Sequence, residues 1–213
     1  MLINLNPGQL AFVIIVPLVV IAITLLLIFY FVKRKNISKN FKYYYYKKIY
    51  KIAMDNDYYL INDFLFKIDD SHVARIDHIL FADKYIYIIN DFYYPADIQG
   101  KETDPSAISV DKLGKKRYVD NPVATNKKLL TRLSLITGIS PSLLIGVSII
   151  NDDCNIGIKV ETKNYFIIQS KGIKRLVKAI ESRNIGKINQ EQLANCVKAI
   201  DKLNRRKRLS NAK

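Results

Sequence analysis

Residues 74–100 read ARIDHILFADKYIYIINDFYYPADIQG. Two apolar runs, Val73 to Phe81 and Tyr85 to Asn90, are rich in β-branched and aromatic residues and are separated only by the short break Ala82-Asp83-Lys84. That pattern predicts a β-hairpin, with Pro95 closing off the second strand because proline cannot donate to a ladder. Asp77, His78, Asn90 and Asp91 are the polar residues set among these apolar positions. Side chains alternate across a strand, so Asn90 and Asp91 are expected on opposite faces unless a bulge shifts the register.

Upstream, Tyr58 to Ile68 is a third strand, Asp69-Asp70-Ser71 a turn, and Tyr43 to Met54 a helix with Ile49, Ile52 and Ala53 at helical spacing. Downstream, Ile98-Gln99-Gly100 begins an irregular return, and Ala107 to Asp120 carries a turn at Leu113-Gly114-Lys115. Asn121-Pro122 opens a helix, since asparagine caps free amides and proline suits the first turn; Leu129, Leu130, Leu133 and Ile136 form its apolar face and Gly138 stops it. Leu143 to Ile150 is apolar almost throughout, as a strand buried on both faces requires. Short strands at Ile156 to Val160 and Tyr165 to Gln169 follow, then a helix through Ile173, Leu176, Val177 and Ile180. A last helix starts at Asn189, with Gln192 placed as in a capping box. The class is α/β, with a mixed sheet flanked by helices.

Leu10 to Val32 contains no charged side chain, and its 23 residues would span about 34 Å as a helix, the thickness of a bilayer's hydrocarbon layer. The uncharged Leu2 to Gln9 and the aromatic end at Phe29, Tyr30 and Phe31 argue against a secretory signal, and Pro17 is tolerable in a membrane helix. This run is expected to be one N-terminal transmembrane helix. Residues 33–51 hold eight basic and no acidic side chains, so the positive-inside rule puts the C-terminal side in the cytoplasm of a single-pass cell-membrane protein.

The organisation expected is a span at 10–32, a basic juxtamembrane segment at 33–51, a domain at 52–182, and a C-terminal helix with a basic tail at 183–213. The net charge of +15 sits almost wholly in the flanks: residues 198–213 carry seven basic and one acidic side chain, and residues 52–197 nineteen against eighteen. The first flank suits anionic membrane lipid. Tyr43 to Tyr46, among its lysines, suit the interface or packing. Cys154 and Cys196 are too few for a cysteine metal site and are read as reduced thiols.

The order of elements resembles the nuclease-related domain family, whose fold is similar to the restriction-endonuclease-like PD-(D/E)XK nucleases. The residues carrying the resemblance are Ile76-Asp77-His78-Ile79, the apolar strand after it, Ile98-Gln99-Gly100, Asn121-Pro122 and the buried strand around Gly146, over roughly residues 55–180. The resemblance implies an Asp on one strand and Glu-x-Lys on the next, with the carboxylates holding Mg²⁺. The family's Asp falls on Asp77, which would be the metal ligand. The Glu-x-Lys positions fall on Asn90 and Phe92, a neutral amide and a side chain with no proton to exchange. Where the family commonly has Gln in the following helix, this chain has Thr125, then Asn126.

Asp91 is a substitute acid if the register shifts, and Glu161-Thr162-Lys163 reads like a displaced Glu-x-Lys whose simpler reading is a solvated turn. There is no Gly-rich phosphate loop, no His-Glu-x-x-His and no Gly-x-Ser-x-Gly, and His72 and His78 are too few for zinc. The expectation is a membrane-anchored nuclease-related protein, impaired as an enzyme and acting by binding nucleic acid or a protein partner. The alternative is a Mg²⁺-dependent nuclease using Asp77 with Asp91, or with Glu161 and Lys163.

Overall fold

The structure is a computed structural model that describes residues 7–68 and 72–204. The expected turn at Asp69-Asp70-Ser71 and the tail at Arg205-Arg206-Lys207-Arg208 lie outside the described residues. The chain divides into two compact units, Met1–Phe41 and Lys42–Lys213.

In the first unit, α1 (Pro7–Lys39) is one helix with Pro17 inside it. Within its stretch Ile15–Lys39 the most apolar 18-residue window has a mean hydropathy of 3.0 and none of it is buried, so α1 is long and apolar enough to cross a membrane. The Thr24 hydroxyl donates to the Val20 carbonyl one turn back, which satisfies the polar group within the helix itself. The helix runs on past Val32, where the apolar run ends.

The second unit starts earlier than the sequence reading placed it. α2 (Phe41–Asn56) buries Tyr45, Ile49, Ile52 and Ala53, an i, i+4, i+7, i+8 stripe along one face. Residues 42–51 therefore contribute core side chains and are not only a basic flank. The strands follow in chain order: β1 (Tyr59–Lys67), β2 (Val73–Phe81), β3 (Ile86–Asp91), β4 (Asp97–Lys101), β5 (Ser106–Val110) and β6 (Lys116–Asp120). Then come α3 (Pro122–Thr137), β7 (Leu144–Ile150), β8 (Ile156–Lys159), β9 (Tyr165–Gln169), α4 (Ile173–Glu181) and α5 (Gln190–Leu203).

The single mixed sheet expected from the sequence is two sheets. One is ordered β1-β2-β3-β7-β9, the other β6-β5-β4-β8. In the first, β1, β2 and β3 pair antiparallel, while β3-β7 and β7-β9 are parallel. The region read as an irregular return is β4, which pairs antiparallel with β5 and parallel with β8.

Helices cover both faces of the five-stranded sheet, the usual way such a sheet buries its two apolar surfaces. On one face, Leu130 and Leu133 of α3 and Cys196 and Ile200 of α5 join Phe64, Phe66, Ile76, Ile79 and Ile88 in one core. The C-terminal helix, expected beyond the 52–182 domain, thus contributes to the domain's core. On the other face α2 stacks Tyr46 on His78, and α4 receives the Tyr87 hydroxyl on Glu181. A second core under the four-stranded sheet joins Ile98, Ala107, Val123, Cys154 and Ile158.

Local signals set the boundaries of α3. The Asn121 side chain accepts from the Val123 and Ala124 amides, and Gly138 takes the left-handed conformation at φ 72°. Gly146, in the centre of β7, is required by close approach: a Cβ there would lie 2.6 Å from the Tyr165 ring.

Candidate functional site

The register of the central hairpin places the four polar residues. His78 pairs with Ile89 and Ile79 with Ile88, so His78 and Asp91 fall on one face while Asp77 and Asn90 meet where the ladder ends. Asp77, His78, Asn90 and Asp91 are all buried. The neighbouring strand is irregular at the same level, where Asp63 of β1 sits in the left-handed region at φ 52°. Short polar residues tolerate that conformation, and such outliers gather at functional sites.

A cavity of about 220 Å³ opens here, lined by Lys42, Tyr43, Tyr46, Asn62, Asp63, Arg75, Asp77, His78 and Asp91. The Asp77 carboxylate is engaged on both oxygens. Oδ1 accepts from Lys42 Nζ at 2.7 Å and lies 3.2 Å from Arg75 Nε, while Oδ2 accepts from the Asp91 amide at 3.0 Å. Arg75 also pairs with Asp63. The Asp77 amide donates to Asn90 Oδ1 at 3.3 Å, and Asn90 Nδ2 donates to Asn126 Oδ1 at 3.2 Å. Asn126 in turn donates to the Ile88 carbonyl. Asn90, where the resemblance puts the family's Glu, is thus one end of a neutral amide chain reaching into α3.

Asp91 is in the same cavity by a route the sequence did not require. Its side chain points to the His78 face in ordinary strand alternation, and His78 Nε2 lies 2.9 Å from Asp91 Oδ2. His78 Nδ1 donates to Asn62 Oδ1 at 2.6 Å, and Tyr46 stacks on the ring at 6.3 Å. With an acceptor on Nδ1, the Nε2 contact needs one proton shared between the imidazole and the acid. Burial pushes the Asp91 carboxyl up, and the bond to His78 works against that rise. Asp91 Oδ1 is buried and has no hydrogen-bond partner among the described residues.

Phe92 stacks on Tyr94, with ring centroids 6.2 Å apart, and packs at the edge of the second core. Glu161 and Lys163 are exposed in the turn between β8 and β9 and do not line the Asp77 cavity. Their turn is held by Glu102, whose carboxylate accepts from the Glu161 and Thr162 amides at 2.9 and 3.2 Å and from the Thr162 hydroxyl at 2.7 Å. Lys127 reaches both Glu102 and Thr162.

The Thr162 hydroxyl, with the Lys127 ammonium and the two amides, lowers the Glu102 carboxyl to about 2. A depressed acid stabilises the fold above its unfolded pKa of about 4.3, and that contribution is lost as pH falls toward the folded value. Glu102→Ala is therefore expected to cost about 1–3 kcal/mol at neutral pH, since it strands two amides and a hydroxyl. Denaturant melts of the variant and the parent should converge between pH 4 and pH 2.

The donor set at Asp77 does not fit Mg²⁺. Hard cations take several oxygen ligands, yet two side-chain cations already sit on Asp77, Asn90 on the next strand is a neutral amide, and Asp91 beside it is bonded to His78. Among the described residues there is no group of three or more His, Cys, Asp or Glu that could hold a metal ion. Sequence reasoning missed Lys42, Asn62, Asp63 and Arg75. Arg75 carried a signal, because it is two residues before Asp77 and so shares its strand face. Lys42 carried none, being one lysine in a basic run.

Residues 42–150 match the family model described as the nuclease-related domain. No curated protein and no solved structure matches the chain.

Proposed function

We infer the function from one premise: the chain belongs to the nuclease-related domain family. We propose that it is a single-pass cell-membrane protein, anchored by α1 with the following domain in the cytoplasm, that binds nucleic acid and has lost metal-dependent cleavage. One observation carries the loss. The Asp77 carboxylate is saturated from within the chain, by Lys42, Arg75 and the Asp91 amide, where the family's chemistry needs it open to a metal.

The length and apolarity of α1 and the basic residues after it support the anchor and its orientation. Binding is supported by the exposed Lys128 and Arg132, one turn apart on α3 beside a surface hollow of about 470 Å³. Phosphate backbones are bound by such cations without need of a metal. A second reading, metal-dependent cleavage with Asp77 and Asp91, is favoured by the unpartnered Oδ1 of Asp91 in the same cavity.

The test is the full chain in detergent micelles, incubated with labelled DNA and RNA, with Mg²⁺ or Mn²⁺ and then with chelator. Binding that weakens steeply with salt, without cleavage above the chelated control, is the expected result. Metal-dependent cleavage that disappears in Asp77→Ala would establish the second reading instead. Failure to bind either nucleic acid would leave a protein partner as the role of the domain.

A further inference from the structure

The β5–β6 hairpin presents an apolar tip between cations. The strands pair from Ser106↔Asp120 to Val110↔Lys116, and β6 is the edge of its sheet. Asp111 builds the turn. Its Oδ1 accepts from the Leu113 and Lys115 amides, each at 2.9 Å, its carbonyl accepts from Gly114 at 2.9 Å, and Gly114 takes φ 78°. An Asx-type turn with glycine in the left-handed position is a rigid one.

This turn holds Leu113 at 94% exposure and β6 holds Tyr118 at 84%, more than any other large apolar side chain among the described residues. Folding does nothing to bury them. Lys112, Lys115, Lys116 and Arg117 surround the pair and are also exposed. Asp111, the sole acid between Val110 and Val119, is spent on the turn.

We propose that the Asp111–Tyr118 hairpin is a second membrane contact, with Leu113 inserting among acyl chains while Lys112, Lys115, Lys116 and Arg117 meet anionic phospholipid headgroups. An aliphatic tip gains from hydrocarbon, and basic side chains gain from an anionic leaflet. Tyrosine at position 118 suits the headgroup level, where its ring is half in an apolar layer and its hydroxyl stays wet. A nucleic-acid wing would use the cations but leave the exposed leucine with no role. The inference rests on the anchored reading for proximity: nine residues lie between the end of the apolar run at Val32 and Lys42, so the second unit is tethered close to the surface.

The chain contains no tryptophan, so Leu113→Trp places a single indole at the tip with no background from another. The full chain carrying this substitution is reconstituted into vesicles of phosphatidylcholine, with or without phosphatidylglycerol, and with brominated acyl chains as quenchers. Alkaline carbonate followed by flotation reads the anchor, and indole emission reads the hairpin.

The expected result is flotation in both lipids, with a blue-shifted emission quenched several-fold more in anionic vesicles. That quenching should be lost when Lys115→Glu, Lys116→Glu and Arg117→Glu are added, while flotation is kept. An unquenched, water-like emission from floating vesicles of both kinds overturns the proposal. So does emission that responds to an added oligonucleotide and not to lipid, which would make the hairpin a nucleic-acid wing. Extraction by carbonate would overturn the anchor alone, because the indole of chain added to preformed vesicles still reports whether the tip enters lipid.

Discussion

Asn90→Asp is expected to cost about 3 kcal/mol of stability at neutral pH, although it changes one NH₂ for an oxygen of nearly the same size. Asn90 is 4% exposed and spends its amide hydrogen on Asn126 Oδ1. With a carboxylate at 90, two acceptors face each other in a buried space, and a charge is placed one residue along from Asp91 and opposite Asp77. Unpaired buried polar groups cost about 1–3 kcal/mol each and charges more. Burial raises the new acid's folded pKa, so the penalty is small below its unfolded value of about 3.9 and grows as pH rises through it. Denaturant melts at pH 4 and pH 7 read the result. A pH-independent loss under 1 kcal/mol would mean that the site still accommodates an acid where the family's motif has one, and would revive the metal-dependent reading.

His78→Ala should have a comparable effect for the opposite reason, since it removes a partner. The imidazole is 4% exposed, stacks under Tyr46 and bonds both Asn62 and Asp91. Breaking a buried, hydrogen-bonded pair from one side costs about 3–5 kcal/mol. Burial raises the Asp91 carboxyl already, and His78 is the larger of the two groups that oppose the rise, Lys42 the lesser. Without His78 the folded pKa climbs further. An acid with a raised folded pKa costs stability as pH rises above its unfolded value, so the gap between His78→Ala and the parent should widen from pH 4 to about pH 6, below the ordinary histidine range. Asp91→Asn is the control. An amide at 91 can donate to His78 Nε2, so its cost should stay near 1 kcal/mol and vary little over the same interval.

These two expectations describe a site refitted around neutral groups. Asp77, the acid that the resemblance points to, lies in β2, and its counter-charges are Lys42 and Arg75. Asn90 and Asn126 form an amide pair where a carboxylate would need a metal or a cation. Asp91 is stabilised by His78 and not by a register shift. Asp91 reaches the cavity by plain alternation along β3, while the break in alternation lies in β1 and β2: Ile76 and Ile79, like Ile61 and Phe64, share one core face, and the Asp63–Asp77 pair between them is missing from the ladder.

Much of the fold was legible because its signals are local. The strand spans Val73–Phe81 and Tyr165–Gln169 agree with the apolar runs that announced them, as do the Asn121 and Gly138 ends of α3. The second sheet was not legible. β8 is announced as a short strand but β4 is not, and the two, which carry polar residues such as Gln99 and Lys159, gain their order from pairing with each other across more than fifty residues of chain. α5 falls outside the 52–182 bounds expected for the domain for a related reason: Cys196 and Ile200 have a core to enter only once β1 and α3 are in place.

From residue types and their spacing alone, the sequence determined the apolar N-terminal helix and the α/β order, and its resemblance to the family pointed to Asp77 as the acid and to Asn90 and Phe92 at its partners' positions. Those are properties of single positions and short periods. What the tertiary structure decided is which distant groups complete the site. Lys42 comes from α2, thirty-five residues from the acid it pairs with, and Asn62 and Asn126 come from separate elements. Electrostatic neutralisation acts through space within a few ångströms, so no chain spacing encodes it, and only the folded register brings these partners together.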